Sequence, residues 1–450
     1  MKKQNIFASA QMIVFHPVLK ENSSIRVQYF KYLRKLLRVV KWDRRKYTKS
    51  QLAFYRDKLC DGKKESGGGK NIALVSGFCY LMPFDLTIML GFHDKLVHTK
   101  KSAAIIDTMA SDFKLSREAA AFLERELEAG LGDEAAWKDV MGHREVKKYL
   151  PYLKMVRDNI MFIKRQPYNI LITATMSAGK STLLNAFAGK DISLVQTMAC
   201  TSKIHTIISK PFEDGVVSEH DYDMFMNAST EELLRDNENN KSSKIMVGTY
   251  FNSELGGQRM ILYDSPGVNS SEHPEHADIC QDMIHSGKYR LMIYVLNAAQ
   301  LGTTDEERHL ETVAKSLGRA RIIFVLNKAD QPISREEDIN GVIERQRRFL
   351  SEKGFCNPVI CPVSAEAAYL VKKSRSEGLT RLEQRGMEMY MNKFERYSLA
   401  PYYEQQLHCA PMNSSEDETQ MLFQNCGFAY LEKVIKHLKN GGTINGSGIC

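Results

Sequence analysis

Between Ile170 and Ala186 the chain places small residues, one ammonium and two adjacent hydroxyls in the order ILITATMSAGKSTLLNA. Ile170 to Ala174 reads as a buried strand, and a helix is expected to resume from Ser181. Strand, small-residue loop and helix in succession are the setting of a phosphate-binding loop, here A-x-x-x-x-G-K-S. In such a loop the backbone N–H groups from Ala174 through Ser177, Ala178 and Gly179 converge with the helix N-terminus, at Ser181 and Thr182, on a polyphosphate. Lys180 would add a cation, and the Ser181 hydroxyl would ligate Mg²⁺. A Cβ at Gly179 is expected to clash where the backbone passes closest to the phosphates.

Three further groups stand where predicted strands end. ILYDSPGVN puts Asp264 in reach of Mg²⁺ through water, and the Gly267 N–H where a γ-phosphate could be sensed. FVLNKAD supplies Asn327, Lys328 and Asp330. One carboxylate matches the two donors on the Watson–Crick edge of guanine, and adenine offers no such pair, so Asp330 would select guanine. Lys328 can lay its stem along the base, and Asn327 can tie this turn to the phosphate loop. In PVSAE, Ser364 would brace the base pocket and the Ala365 N–H could meet the guanine carbonyl.

With these words in this order, the sequence resembles the dynamin superfamily of large GTPases, and its bacterial members most closely. The likeness runs from about 145 to 438, through SAGKSTLLNA at 177–186 to the closing GFAYLEKVIKHL. The resemblance implies GTP hydrolysis by water attack on the γ-phosphate, coupled to conformational change or self-assembly. It puts the switch threonine at Thr201, holding Mg²⁺ and the attacking water, with Thr197 as the competing assignment. Val268 stands where a small Ras-type GTPase has its water-orienting glutamine. The resemblance gives that work to Ser177 with a monovalent cation, K⁺ or Na⁺, completed when two GTPase domains pair as a homodimer. Dynamins that remodel membranes carry a long helical stalk after the closing helix. About a dozen residues follow it here, so only the N-terminal helical segment and the helix at 145–164 could supply a neck, and a separate stalk-bearing subunit stays open.

The elements needed to hold these groups are legible as alternating strands and helices from Asn169 onward. Strands are expected at 170–174, 203–209, 244–251, 259–263, 290–296, 321–326 and 359–363. The fold class is therefore α/β, a P-loop GTPase domain with a mainly parallel sheet flanked by helices. Gly256-Gly257 predicts an antiparallel hairpin between the third and fourth strands. Between 211 and 242 lies an acidic, polar insert with one short helix capped by Ser229 and Glu232.

Ahead of this domain stands an all-α helical domain. Domains are expected at 1–140 and 141–440, with a flexible tail at 441–450. Val27, Phe30, Leu33, Leu37 and Val40 share one side of a basic helix. Residues 72–92 are long and apolar enough for a bilayer span, but Pro83 and Asp85 at the centre make a spanning helix costly. Two buried helices turning at Met82–Asp85 are favoured, and peripheral membrane contact through residues 25–92 stays open. The net charge of +8 over 450 residues is concentrated in the N-terminal third. Nine cysteines without metal-ligand spacing read as reduced thiols, and no secretory signal follows Met1. The localisation expected is cytoplasmic, at most peripheral on the inner face of the membrane. Three roles remain: a membrane-associated mechanoenzyme, a soluble switch on a protein or nucleoprotein partner, and a ribosome-assembly GTPase. No aromatic-interleaved basic motif points to direct nucleic-acid reading.

Overall fold

The structure, a computed structural model, describes residues 3–62, 71–90, 100–129, 131–193, 204–233, 244–265, 275–317, 320–331, 339–413, 415–444 and 448–449. The chain divides into two compact units, one of residues 1–166 with 210–228 and one of 167–209 with 229–450. The first is helical. It contains helices Ser23–Val39, Lys46–Cys60, Lys100–Phe113, Arg117–Ala129 and Leu150–Lys164. The helix expected to lead into the GTPase domain therefore belongs to this unit, and Pro151 sits in its first turn, where its missing N–H costs nothing.

The apolar stretch folds as a 3₁₀ helix Ile72–Leu81 running into an α-helix Met82–Met89 with Pro83 in its first turn. By length and composition it could cross a membrane. Its interior carboxylate has another use. Asp85 is fully buried and accepts hydrogen bonds from Tyr29 Oη (2.5 Å), Tyr55 Oη (3.2 Å) and Tyr152 Oη (3.3 Å). His16 Nε2 lies 3.1 Å away. Because His16 Nδ1 accepts the Val18 N–H, its proton is on Nε2 and points at the carboxylate. Burial first, and the Asp85 charge second, push the three phenols well up, so they remain donors. Four separate segments are thus fastened to one side chain.

Segment 210–228 completes this unit. Lys210 and Asp214 form a fully buried ion pair (2.8 Å), and Asp214 Oδ2 accepts the Gln11 N–H at 2.7 Å. Strands Ser218–His220 (β3) and Met224–Phe225 (β4) pair antiparallel, and Ser50 Oγ donates to Met224 O at 2.8 Å. The acidic stretch after 211 is consequently core-forming at its start. Ser229 and Glu232 cap each other reciprocally as expected.

The second unit is α/β. Its strands are β1 Tyr168–Ala174, β2 Ile204–Ser209, β5 Lys244–Thr249, β6 Met260–Asp264, β7 Leu291–Asn297, β8 Arg321–Asn327, β9 Phe355–Cys356 and β10 Ile360–Pro362. All seven expected strands are present. The main sheet runs in the order β10-β8-β7-β1-β6-β2-β5. It is parallel except where β2 meets β6 antiparallel.

The expected hairpin between β5 and β6 is corrected, because β2 lies between them. Gly256 serves a local turn closed by its N–H on Ser253 O (2.9 Å), and a Cβ there would meet Tyr250 Oη at 2.5 Å. One cysteine also departs from expectation. Cys356 is disulfide-bonded, and its strand pairs with Gly448–Ile449, which brings the end of the chain beside it. Cys60, Cys79, Cys280, Cys361, Cys409 and Cys426 are free thiols. The closing helix Phe428–Lys439 is anchored by Glu432, fully buried and 2.5 Å from Lys372 Nζ.

Asp85→Ala leaves three hydroxyls and one ring N–H without an acceptor in a closed core. It is expected to lower the unfolding free energy by about 3–5 kcal/mol, measured by urea denaturation followed by circular dichroism.

Candidate functional site

The β1 strand is central in its sheet and ends at the fully buried Ala174. The loop then turns through Ser177 (φ 64°) and Gly179 (φ 86°), both left-handed, before the helix Lys180–Ala188. The helix begins one residue earlier than expected. Gly179 is required, although the neighbour that demands it is a side chain. A Cβ there would lie 2.2 Å from Asn327 Nδ2.

That asparagine is the hub of the site. Asn327 Nδ2 donates to Ala178 O (3.1 Å), and Asn327 Oδ1 accepts the Ala365 N–H (3.0 Å). One planar amide therefore joins the end of β8 to the loop after β1 and to the start of helix Ala365–Ser376. The first of these bonds is the tie expected from sequence. The second gives the Ala365 N–H, expected to meet a guanine carbonyl, an acceptor in Asn327. Lys328, also left-handed at φ 60°, donates from Nζ to Ser177 O at 3.1 Å. Asn297 Nδ2, at the end of β7, approaches the same carbonyl at 3.5 Å.

Lys180 is buried and ion-paired with the buried Asp264 at the end of β6. The two residues assigned to phosphate and to metal thus sit together. Asp264 Oδ2 is buried with no hydrogen-bond partner. An uncompensated carboxylate oxygen beside an ammonium and close to a helix N-terminus fits a site that takes both a hard cation and phosphate. Among the described residues no cluster of three or more His, Cys, Asp and Glu could hold a metal unaided, so any cation here needs further oxygens, as phosphate would supply.

Asp330 is followed by a turn in which the Gln331 N–H meets Lys328 O (3.0 Å), and the Ala329 N–H meets Val363 O (3.1 Å). Its carboxylate lies 3.6 Å from Lys393 Nζ, on helix Arg381–Arg396. Ser364 is buried beside this turn. Met176 and Ser177 are exposed in the loop, Met176 at 54 %. Ser181 and Thr182 lie in the first turn of the helix and are half-buried. Thr201, its competitor Thr197, Gly267 and Val268 lie outside the described residues.

Three contributors were missed from sequence. Asn297 had a findable signal, a polar residue ending a strand as Asp264 and Asn327 do. Lys393 had none, being one cation among many on an amphipathic helix. Behind the site, Ser265 Oγ donates to Thr173 Oγ1 (3.1 Å), which meets His309 Nε2 at 3.1 Å. Burial holds His309 down at about 4, so its ring is neutral.

Residues 170–329 match the family model described as Dynamin family. No curated protein matches the chain. Among solved structures, Aquifex aeolicus Era bound to GDP.AlF4⁻ is 18 % identical over 45 % of this chain and 52 % of its own, with a TM-score of 0.28. Era in complex with MgGDPNP and nucleotides of 16S ribosomal RNA is 16 % identical over 44 % and 51 %, at 0.28. A bacterial dynamin from an oligomerised pair, titled for the sensing and tethering of membranes, is 15 % identical over 94 % and 63 %, at 0.37. The chain spans about half the length of the Era proteins and under two thirds of that dynamin.

Asn327→Ala removes both bonds of the hub and leaves a buried carbonyl and N–H unpaired. Affinity for a fluorescent GTP analogue is expected to fall by about 10- to 100-fold, with the helical content in circular dichroism unchanged.

Proposed function

We propose that this chain, whose residues 170–329 match the family model described as Dynamin family, binds GTP and hydrolyses it, coupling turnover to a conformational change or self-assembly. The observation that carries this reading is the Asn327 amide bonded at once to the Ala178 and Ala365 backbones, because it holds a phosphate cradle and a guanine-selecting turn in fixed register.

Lys180 leaves Asp264 when a triphosphate arrives and turns its ammonium to the β- and γ-phosphates. The freed carboxylate, with the Ser181 and Thr201 hydroxyls, would hold Mg²⁺, which would supply neutralisation of phosphate charge. Backbone N–H groups of Ser177 to Ser181 and the helix N-terminus bind the phosphate oxygens, while Thr182 stabilises the first turn. The Gly267 N–H faces the γ-phosphate, and the Thr201 carbonyl orients the attacking water. Asp330 accepts from the guanine edge, Lys328 lies along the base, and Ser364 closes the pocket. Val268 stands at the position of the water-orienting glutamine, so Ser177 with a monovalent cation and a second copy across the nucleotide would complete the charge stabilisation.

For cellular role, we propose a cytoplasmic protein acting peripherally at an anionic membrane surface. Residues 20–61 carry thirteen Lys and Arg against four Asp and Glu, so the basic excess of the whole chain is gathered on one stretch. Arg38, Lys41, Arg44, Arg45, Lys46 and Lys49 are exposed there, and such charge attracts anionic lipid without insertion. A specific observation favours the second reading, a soluble switch on a protein or nucleoprotein partner. The one segment apolar enough to insert is fastened inside the helical core through Asp85. Co-sedimentation with phosphatidylglycerol vesicles at 150 mM salt separates the two, and charge reversal at Arg44 and Arg45 should abolish it on the first reading.

Thr201→Ala is expected to bind GTP with little change and to hydrolyse it at least about tenfold more slowly in a phosphate-release assay. Asp330→Asn is expected to invert preference from guanosine to xanthosine triphosphate in competition binding, since the amide presents one donor where the carboxylate presented two acceptors.

A further inference from the structure

The main sheet has a second polar end. Where β1, β7 and β8 begin, about 20 Å along β1 from the phosphate loop, a cavity of about 530 Å³ opens at the start of the strands. Its lining includes Tyr168, His285, Arg290, Ser316, Arg321 and Lys439, and no acidic residue is among the described lining. Two guanidiniums stand on neighbouring strands, with the Arg321 N–H donated to Arg290 O at 3.3 Å. Both act on the Tyr168 phenol, which burial pushes up and the nearby Arg321 and Arg290 pull back.

The chemistry of the lining is one-sided. Arg321 spends one N–H on Gly442 O (2.5 Å) and keeps the rest of its fork. Arg290 is exposed and has no ion-pair partner among the described residues. His285 Nδ1 donates to Gln281 O, and its Nε2 lies 3.1 Å from the Ser316 hydroxyl. Two guanidiniums beside a phenol hydroxyl line one cleft, and an anion there would offset their mutual repulsion. Planar guanidinium donors match phosphate oxygens in pairs.

We propose that this cleft binds a phosphorylated ligand, separate from the nucleotide and simultaneous with it. The ligand chemistry is a phosphate group of two or more negative charges, carried by a free compound or by a lipid headgroup. The site stands whether or not the opposite end of the sheet takes GTP.

The test uses the full chain saturated with GDP and titrates pyrophosphate by calorimetry at 150 mM salt. One saturable site is expected. Arg290→Gln should weaken it about tenfold or more while leaving GDP affinity unchanged, and Arg290→Lys, which keeps the charge and loses the fork, should weaken it less. Arg290 is exposed and holds no described side-chain partner, so the variant is expected to fold, which its thermal melt checks. Should GDP fail to bind, the same titration in the Lys180→Ala chain still reads the cleft. Displacement of pyrophosphate by vesicles of phosphatidic acid, whose phosphomonoester carries up to two charges, assigns a lipid headgroup, and its persistence assigns a free phosphate compound. Absence of saturable uptake with GDP bound, or equal affinity in Arg290→Gln, overturns the proposal.

Discussion

A single planar amide fixes the geometry on which the nucleotide site depends. Asn327 has one donor and one acceptor engaged in opposite directions, to the loop after β1 and to the loop after β10. An aspartate would lose the first bond and a leucine both. Crowding makes the constraint mutual, because the room for that amide exists only while position 179 has no Cβ. The left-handed backbone at Ser177, Gly179 and Lys328 follows from it. Three strained residues are tolerable where several bonds over-determine their place, and such strain gathers at binding sites.

The Lys180–Asp264 pair shows how the site is held before a ligand arrives. A buried ammonium and a buried carboxylate would each be costly alone, and each here lowers the cost of the other. The arrangement stores no rigid cavity. On the proposed function it stores two charges that would separate when phosphate and a cation offer better partners, so affinity would be a difference between two well-satisfied states.

The sequence was most legible where residue type and local backbone act together. The phosphate loop, the strand ends at Asp264 and Asn327 and the Ser229–Glu232 cap all depend on neighbours within a few residues. Pairing over long separation was not legible. Nothing local told β2 to run between β6 and β5, and Gly256-Gly257 signals a turn whatever strands it joins. The buried Lys210–Asp214 pair has the spacing of any solvated helix pair, so burial could not be read from it. Asp85 stood out as a lone charge in an apolar run, but its partners come from positions 30 to 69 residues away, and only tertiary packing unites them. Lys393 and His309 reach the site by the same kind of distant convergence.

The helical unit takes its last piece, residues 210–228, from beyond the first strands of the sheet. On a ribosome this delays it. Its first 166 residues emerge with Gln11 and Gln51 lacking the segment they bond, and that segment follows roughly 60 residues later. At synthesis rates of about 5–20 residues per second, the wait is about 3–12 s. During that interval the nascent chain presents an incomplete apolar surface, which makes it a natural client for a chaperone at the exit tunnel.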